Sequence, residues 1–271
     1  MLRALGVIPA RFASIRFPGK PLAPLGNSTL LQHVWEGARS SRRLARLIVA
    51  TEDARIVEAC RGFGAEVMLT SAEHPSGTDR VAEVVEHAGE RFDVVVNIQG
   101  DEPFVSGTSL DRLVEAFDAG RSIEMATLAE PLLDGKELFD PHVVKVVTAR
   151  DGRALYFSRS PIPFHRGSGE MPGIDFRPAL AGRPGGLRGY WKHQGIYAYT
   201  PSALFALRAM PPSPLERDEG LEQLRALQAG FAILVLESDW RSLAVDTPDD
   251  LLRAVARLAR EETDVPKEIP R

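Results

Sequence analysis

The sequence predicts an α/β fold in which helices flank a mainly parallel central sheet. Three observations predict it. Short apolar runs alternate with helical spacing through the first half of the chain. The run VVVNIQ at residues 94–99 is continuous and β-branched, which is typical of a strand buried on both faces. The most polar motifs directly follow predicted strands, at the edge where parallel sheets bind ligands.

The first half of the chain alternates strand and helix along its length. Five strands are predicted, at residues 5–9, 47–51, 66–69, 94–99 and 125–128. Four helices are predicted between them, because apolar residues recur at three- and four-residue spacing across 30–38, 56–63, 81–88 and 110–117. A βαβα order is typical of parallel strands joined by helical crossovers, so these elements are expected to form one sheet.

The second half of the chain is less regular. Strands are predicted at 143–148, 195–199 and 231–236, a helix at 216–228, and a last helix with Pro248 in its first turn. Residues 166–190 are rich in glycine and proline, which predicts a long, mobile loop. Residues 1–260 are predicted to form a single domain, and residues 261–271 a polar tail.

Composition limits the function classes. The net charge of −4 on 271 residues argues against general nucleic-acid binding. No apolar run approaches the roughly 20 residues that cross a bilayer, and the first apolar stretch is too short for a signal peptide. We therefore expect a cytoplasmic protein without membrane insertion. The single cysteine, Cys60, excludes an internal disulfide and a cysteine-rich zinc site.

Basic residues are concentrated at the start of the chain, where the first 35 residues contain no Asp or Glu. The segment IPARFASIRFPGKPL (residues 8–22) follows the first strand and contains Arg11, Arg16 and Lys20, with Ser14 among them. A triphosphate carries about four negative charges, so a loop that holds one needs several cations and free backbone N–H groups. The segment therefore predicts a phosphate-binding loop. It is not a Walker P-loop, because proline follows the lysine.

A second polar motif, HPSGTDR, follows the third strand. Ser76, Gly77 and Thr78 offer hydroxyl groups and a close backbone approach to a ligand. Asp79 or Thr78 could instead cap the helix that follows, and the two roles are compatible.

Two aspartates follow apolar runs that lie far apart in the chain. Asp101 comes after the 94–99 strand in QGDEP, and Asp246 comes after a short apolar run in SLAVDTP. Two carboxylates that converge from separate strand ends can hold one Mg²⁺, which binds one or two carboxylates together with phosphate oxygens. The alternatives are a turn aspartate at position 101 and a helix cap at position 246, a role that Thr247 could also fill.

Three polar clusters lie in the second half of the chain. They contain Arg159 in ALYFSRSPIP, His193 and Tyr197 in KHQGIYAY, and Glu222 and Gln223 in SPLERDEGLEQLRAL. The arginine could pair with a ligand carboxylate, and the other side chains could bind hydroxyl groups. On physical grounds alone, each of these residues is more often structural than functional.

Taken together, these motifs resemble one family, the 3-deoxy-manno-octulosonate cytidylyltransferases, also called CMP-Kdo synthetases. With KVVTARDGRALYFSRSPIP and VDTPDDL they occur in family order, from Leu5 to about Leu258. The combination of HPSGTDR, QGDEP and LYFSR is specific, whereas RxxSxRxPGKxL alone is shared with CMP-sialic acid synthetases. Two features depart from the family pattern: the length of the 166–190 segment, and Ala244, where glycine is commoner.

The resemblance implies a Rossmann-like nucleotidyltransferase fold, a smaller dimerisation and sugar-binding portion within about residues 130–230, and a homodimer. It also implies an enzyme that uses CTP to activate an acidic sugar, 3-deoxy-D-manno-octulosonate (Kdo), for lipopolysaccharide. The residues implied to hold CTP are Arg11, Ser14, Arg16, Lys20, Ser76, Gly77, Thr78 and Arg80. Those implied to bind Mg²⁺ are Asp101 and Asp246. Those implied to line the sugar site are Gln99, Arg159, His193, Tyr197, Glu222 and Gln223.

The expected reaction is an in-line attack of the sugar's anomeric hydroxyl on the α-phosphorus of CTP, with pyrophosphate as the leaving group. Catalysis would consist of positioning and charge neutralisation by Asp101, Asp246, Lys20 and Arg16. One rival is the same reaction on 8-amino-Kdo or a sialic acid. A second is an NAD-dependent dehydrogenase, which needs G-x-G-x-x-G where this chain has PARFAS. A third is a non-catalytic nucleotide-binding protein, which is expected to lack one metal carboxylate.

Overall fold

The computed structural model of the chain describes residues 2–13, 16–118, 123–164 and 187–264. Its strands are Ala4–Pro9 (β1), Pro24–Leu25 (β2), Ser28–Thr29 (β3), Leu44–Thr51 (β4), Glu66–Leu69 (β5), Val94–Asn97 (β6), Met125–Pro131 (β7), Lys145–Thr148 (β8), Ala154–Ser158 (β9), Trp191–Tyr199 (β10) and Ile233–Glu237 (β11). Its α-helices are Leu30–Arg39 (α1), Ala54–Gly62 (α2), Gly77–His87 (α3), Gly107–Asp118 (α4), Gly135–Phe139 (α5), Pro201–Ala209 (α6), Pro214–Glu219 (α7), Gln223–Gln228 (α8) and Pro248–Asp264 (α9). A 3₁₀ turn covers Lys20–Leu22.

The chain folds into two compact units. The first unit is built from two separate stretches, the residues up to Asp111 and those from Trp240 onward, and the second unit is Arg112–Asp239. The single domain expected over residues 1–260 stays a prediction. Among the described residues, no helix combines the length and the apolar character needed to cross a membrane.

In the first unit, four strands form an entirely parallel sheet in the order β6-β1-β4-β5. The two strands with the most continuous apolar runs, β1 and β6, are almost completely buried. The apolar stripe predicted for α1 is buried as well, through Leu30, Leu31, Val34, Trp35 and Ala38. The predicted parallel α/β architecture is therefore confirmed, and the carboxyl ends of all four strands lie on one edge.

In the second unit, β11 runs parallel to β7, and β7 pairs antiparallel with β10. β10 also pairs antiparallel with β8, which forms a hairpin with β9. The core of this unit contains large apolar side chains from several of these elements, including Phe157, Ile196, Leu204, Leu207 and Leu224. This arrangement carries His193 and Tyr197 on β10 and Arg159 immediately after β9.

The single helix predicted across residues 216–228 is wrong. Ser213 and Glu216 form a capping box that starts α7, but the chain turns at Gly220, whose backbone is left-handed (φ 63, ψ 40). Glycine tolerates that conformation, so the helix ends there and a second helix, α8, follows Glu222. Because of this break, Glu222 immediately precedes α8 and Gln223 is the first residue of that helix.

Three sequence predictions fall outside the described residues. They concern Ser14 in the phosphate-binding loop, residues 166–186 of the glycine-rich segment, and residues 265–271 of the tail. The first residues of the predicted tail belong to α9, which continues to Asp264.

Candidate active site

The segment after β1 forms a turn that closes immediately before Lys20. The Gly19 N–H donates to the Phe12 carbonyl oxygen at 2.9 Å, and Gly19 has a left-handed backbone (φ 74). A side chain at Gly19 would begin 3.2 Å from the Phe12 ring, so both conformation and space favour glycine. The Phe12 ring also packs on the Arg55 guanidinium, 3.3 Å from its centroid. These contacts fix the start and the end of the loop that precedes Lys20.

Lys20 joins the two aspartates that the sequence predicts as metal ligands. Its Nζ atom lies 2.8 Å from Asp101 Oδ2 and 3.2 Å from Asp246 Oδ1. Arg16 Nη2 lies 3.3 Å from Asp246 Oδ2. The prediction that the two aspartates meet beside the basic loop is confirmed, and we call these four residues the ion cluster.

The environment of Lys20 favours its charged form. Only 14% of the side chain is exposed, and burial alone would lower the pKa of Lys20. The nearby Asp101 and Asp246 carboxylates outweigh burial, so the pKa of Lys20 is raised above its ordinary value. The ammonium therefore neutralises part of the negative charge of the acidic pair.

Backbone hydrogen bonds hold the two aspartates in place. The Val245 N–H donates to the Asp101 carbonyl oxygen at 2.9 Å. The Asp250 carboxylate accepts from the N–H groups of Asp246 at 3.1 Å and Thr247 at 2.9 Å. Thr247 Oγ1 accepts from the Asp250 N–H at 3.2 Å, so Thr247 caps α9. The Asp246 carboxylate is therefore used by the cations of the loop and not by the helix.

The HPSGTDR motif forms the start of α3. Ser76 Oγ accepts from the Asp79 N–H at 3.2 Å, so Ser76 is the cap, and neither Asp79 nor Thr78 fills that role. Gly77 and Thr78 lie in the first turn of this helix, where backbone N–H groups favour anions. The expected contact of Ser76, Gly77 and Thr78 with CTP stays a prediction.

Arg80 lies in the core of the first unit and is fully buried. Its Nη2 atom lies 2.7 Å from Glu52 Oε2, and its Nη1 donates to Thr70 Oγ1. Burial is the main reason that the pKa of Arg80 is lowered. A buried guanidinium is suited to supporting the start of α3, and the expected contact between Arg80 and CTP stays a prediction.

Two further contacts tie the phosphate-binding loop to its neighbours. Arg11 Nη2 donates to the carbonyl oxygens of His74 and Ser76, the latter at 3.4 Å. Glu52 Oε1 accepts from the Phe12 N–H at 3.3 Å. Glu52 was not singled out from the sequence, because nothing in its neighbourhood there indicates a buried partner. It links this loop to Arg80 and so to α3.

The sugar-binding candidates are divided between the two units. Gln99 follows β6 in the first unit, and the other five belong to the second. In that unit, the His193 and Tyr197 rings lie 5.4 Å apart, and His193 Nε2 lies 3.0 Å from Thr127 Oγ1. The Phe157 ring packs edge-on against His193 at 4.9 Å. His193 and Tyr197 are thus brought together on β10, whose pairing with β7 is irregular between Gln194 and Tyr197.

His193 is expected to remain neutral throughout the physiological pH range. Burial lowers the pKa of His193 from its ordinary 6.5 to about 3. The unfolded chain takes up the proton first, so this residue should reduce stability as the pH falls from 6.5 towards 3. NMR titration of the imidazole carbons should show no charging above about pH 5 in the folded protein. Normal titration of His193 in the native state would contradict this, and the same protein in urea provides the control.

Two of the sugar-site candidates in the second unit carry a buried polar atom that has no hydrogen-bonding partner within the described residues. Gln223 Nε2 is such an atom. The Tyr197 hydroxyl is another: it is buried beside Thr127 but makes no hydrogen bond of good geometry. Buried polar groups are normally satisfied, so both atoms are suited to bind ligand hydroxyl groups.

Arg159 is held by three backbone carbonyl groups. Its guanidinium donates to the carbonyl oxygens of Glu219 at 2.6 Å, Pro141 at 2.8 Å and Gly220 at 3.4 Å. Among the described residues, no carboxylate lies at ion-pair distance from this guanidinium. Its positive charge is therefore fixed in position but not neutralised, which suits recognition of an anionic group.

Comparisons with known proteins agree on one kind of chemistry. A family model described as cytidylyltransferase matches residues 5–236. The chain is 47% identical over 257 residues to the 3-deoxy-manno-octulosonate cytidylyltransferase of Solibacter usitatus, covering 94% of each chain. It is 48% identical over 253 residues to the protein of that name from Halorhodospira halophila, covering 93% of this chain and 95% of the relative. A solved CMP:2-keto-3-deoxy-manno-octonic acid synthetase complexed with CTP matches with a TM-score of 0.83 and 36% identity, covering 96% of this chain and 99% of that one.

Proposed function

Because the chain belongs to the 3-deoxy-manno-octulosonate cytidylyltransferase family, we propose that it transfers the cytidylyl group of CTP to Kdo and releases pyrophosphate. The observation that carries this proposal is the ion cluster. Lys20, Asp101 and Asp246 come from three distant parts of the sequence and meet at the carboxyl edge of the parallel sheet. A cationic loop beside paired carboxylates is the arrangement that transfer from a nucleoside triphosphate requires.

We propose Mg²⁺ as the cofactor, held by Asp101 and Asp246. The donor set fits, because one oxygen of each carboxylate lies within hydrogen-bonding distance of the same atom, Lys20 Nζ. Mg²⁺ typically binds one or two carboxylates and completes its shell with phosphate oxygens and water. Within the described ranges, no group of three or more His, Cys, Asp or Glu side chains could hold a metal. When bound, the ion would polarise the α-phosphate and lower the pKa of the attacking sugar hydroxyl.

The side chains of the phosphate-binding loop would bind and neutralise the triphosphate. Arg16 and Lys20 would stabilise the charge that develops on the departing pyrophosphate. The start of α3, with Ser76 to Thr78, would supply backbone N–H groups to the nucleotide. The attacking group is the sugar's own anomeric hydroxyl, so no side chain needs to act as a covalent nucleophile.

The second unit supplies groups suited to an acidic sugar. Arg159, whose charge is not neutralised, would pair with the sugar carboxylate. The Tyr197 hydroxyl and Gln223 Nε2 would bind sugar hydroxyl groups, which would satisfy both buried atoms. His193, kept neutral by burial, and Glu222 would add uncharged and charged hydrogen-bonding partners. Gln99, from the first unit, is the remaining candidate.

We also propose a cytoplasmic homodimer whose product serves lipopolysaccharide synthesis. Large apolar side chains are exposed in the second unit at Leu133, Leu155 and Phe164, which supports self-association through that unit. The cytoplasmic assignment is supported by the proposed reaction, which consumes CTP. Light scattering coupled to size-exclusion chromatography should give about twice the 29.7 kDa chain mass. A single-chain mass at micromolar concentration would contradict the dimer.

Pyrophosphate release from CTP, Mg²⁺ and Kdo tests the function directly. We expect turnover with CTP that depends on both Mg²⁺ and Kdo, and little turnover with ATP, GTP or UTP. Parallel reactions with 8-amino-Kdo and a sialic acid test the choice of sugar. Faster turnover with either of these than with Kdo would contradict the proposed substrate, and no metal dependence would contradict the proposed cofactor.

A further inference from the structure

We infer that Glu219 is a positioning residue for the acidic sugar: it holds Arg159, together with the segment that carries Glu222 and Gln223, in the arrangement that binds Kdo. The inference rests on the proposed function of the second unit. Glu219 stands at the end of α7 and does not need to contact the ligand itself.

The Glu219 carboxylate binds the end of β9. Its Oε1 atom accepts from Ser158 Oγ at 2.5 Å, and its Oε2 atom accepts from the Arg159 N–H at 2.8 Å. The Tyr156 hydroxyl lies 3.5 Å from Oε1. Hydrogen bonds to a carboxylate are stronger than those between neutral groups. The carboxylate therefore fixes the backbone at the point where the Arg159 side chain begins.

The main chain of the same segment binds the other end of Arg159. Arg159 Nε donates to the Glu219 carbonyl oxygen at 2.6 Å, and Nη2 donates to the Gly220 carbonyl oxygen at 3.4 Å. Residues 219 and 220 thus form hydrogen bonds with both the backbone and the guanidinium of Arg159. Movement of the α7 end would displace the charged group directly.

The same contacts position the two sugar-site candidates at the start of α8, Glu222 and Gln223. Gly220 turns the chain, Leu221 is buried, and Glu222 and Gln223 follow at once. Lys145 holds the other side of Arg159, because its buried Nζ donates to the Arg159 carbonyl oxygen at 2.5 Å. Since α8 also packs on β9, a shift at Glu219 would be transmitted to Arg159, Glu222 and Gln223 together.

A second acid on α7 shows why this geometry differs from a simple ion pair. Glu216 binds the Arg225 guanidinium directly, at 2.5 and 2.8 Å, and so neutralises it. The Glu219 carboxylate binds the Arg159 backbone instead and leaves the guanidinium charge unpaired among the described residues. Glu219 can therefore order Arg159 without competing with a ligand carboxylate for it.

The test is Glu219→Gln, with Glu216→Gln as the matched control on the same short helix. For Glu219→Gln we expect the KM for Kdo to rise about 10-fold or more while the KM for CTP stays within about 2-fold. Glu216→Gln should lower the Tm but leave the KM for Kdo unchanged, because Arg225 has no part in the sugar site. Ser158→Ala removes one of the bonds to Glu219 and should raise the KM for Kdo in the same direction by a few-fold.

The outcomes separate positioning from general stability. Equal changes in both KM values, or an unchanged KM for Kdo in folded Glu219→Gln and Ser158→Ala, would overturn the inference. A readout without any sugar is the Arg159 Nε–H NMR signal, assigned with Arg159→Lys. It should be protected from exchange in the wild-type protein and lose protection in Glu219→Gln. If the wild-type protein does not use Kdo, the proposed function fails, and this signal still decides whether Glu219 positions Arg159.

Discussion

Asp101→Asn is expected to lower kcat by about three orders of magnitude or more while the fold is kept. Asn has the size of Asp but no charge, so it would bind a divalent ion far more weakly. It would also leave Lys20 with one carboxylate partner, Asp246, in place of two. Initial rates of pyrophosphate release measure the effect, and circular dichroism checks the fold. CTP binding should be partly retained, because the cations of the phosphate-binding loop remain.

Asp249→Asn is the matched control for this substitution. Asp249 lies in the first turn of α9, three positions after Asp246, and its side chain is exposed. Loss of one surface charge there should leave kcat within about 2-fold. Asp246→Asn should behave like Asp101→Asn if both carboxylates hold one ion. A near-normal rate in either active-site variant would refute the metal assignment.

Lys20→Ala is expected to lower kcat/KM for CTP by about 10²- to 10³-fold. The substitution removes the cation that would neutralise the leaving pyrophosphate. It also removes the ammonium that lies against both aspartates, so nucleotide-free protein should bind Mn²⁺ more tightly than the wild-type protein does. Steady-state kinetics measure the first effect, and electron paramagnetic resonance of free Mn²⁺ measures the second.

The exposed Lys136 of the second unit provides the control for Lys20, since Lys136→Ala removes the same kind of charge from a residue that is not part of the ion cluster. In Lys136→Ala, both kcat/KM for CTP and the affinity for Mn²⁺ should stay at the wild-type value. An unchanged kcat/KM in Lys20→Ala would count against a phosphate-binding role for the loop. Unchanged Mn²⁺ affinity would show that the ammonium does not compete for the two carboxylates.

The elements predicted best from the sequence are those whose apolar pattern agrees with their burial. β1, β6 and α1 appear where the pattern places them, because a fully buried strand and a one-sided helix each leave a distinct spacing. Short elements were missed: the β2–β3 hairpin contains two residues per strand, too few for periodicity. The break at Gly220 was missed because capping and turn chemistry depend on one residue, whereas the surrounding apolar spacing suits a continuous helix.

The same contrast holds for the candidate site. The meeting of Asp101 and Asp246 could be predicted from the apolar runs that precede them, but only Asp101 follows a strand of the parallel sheet. The expected strand before Asp246 is wrong, and the Val245–Asp101 backbone hydrogen bond joins the two segments instead. Three other contacts could not be predicted. They are the position of Lys20 between the two aspartates, the burial of Arg80 against Glu52, and the hydrogen bonds between Glu219 and Arg159. Each depends on which of many acids meets which base, and a single sequence holds no record of that pairing.

The first unit is assembled from two stretches of chain separated by the whole of the second unit. Asp246 and α9 are therefore among the last parts of that unit to leave the ribosome, at about 5–20 residues per second. Until they emerge, the chain holds Asp101 and Lys20 without their partner, and the Val245–Asp101 backbone bond is absent. A nascent chain should thus acquire its catalytic competence only after the second stretch of the first unit has emerged, when the second unit has already had time to fold.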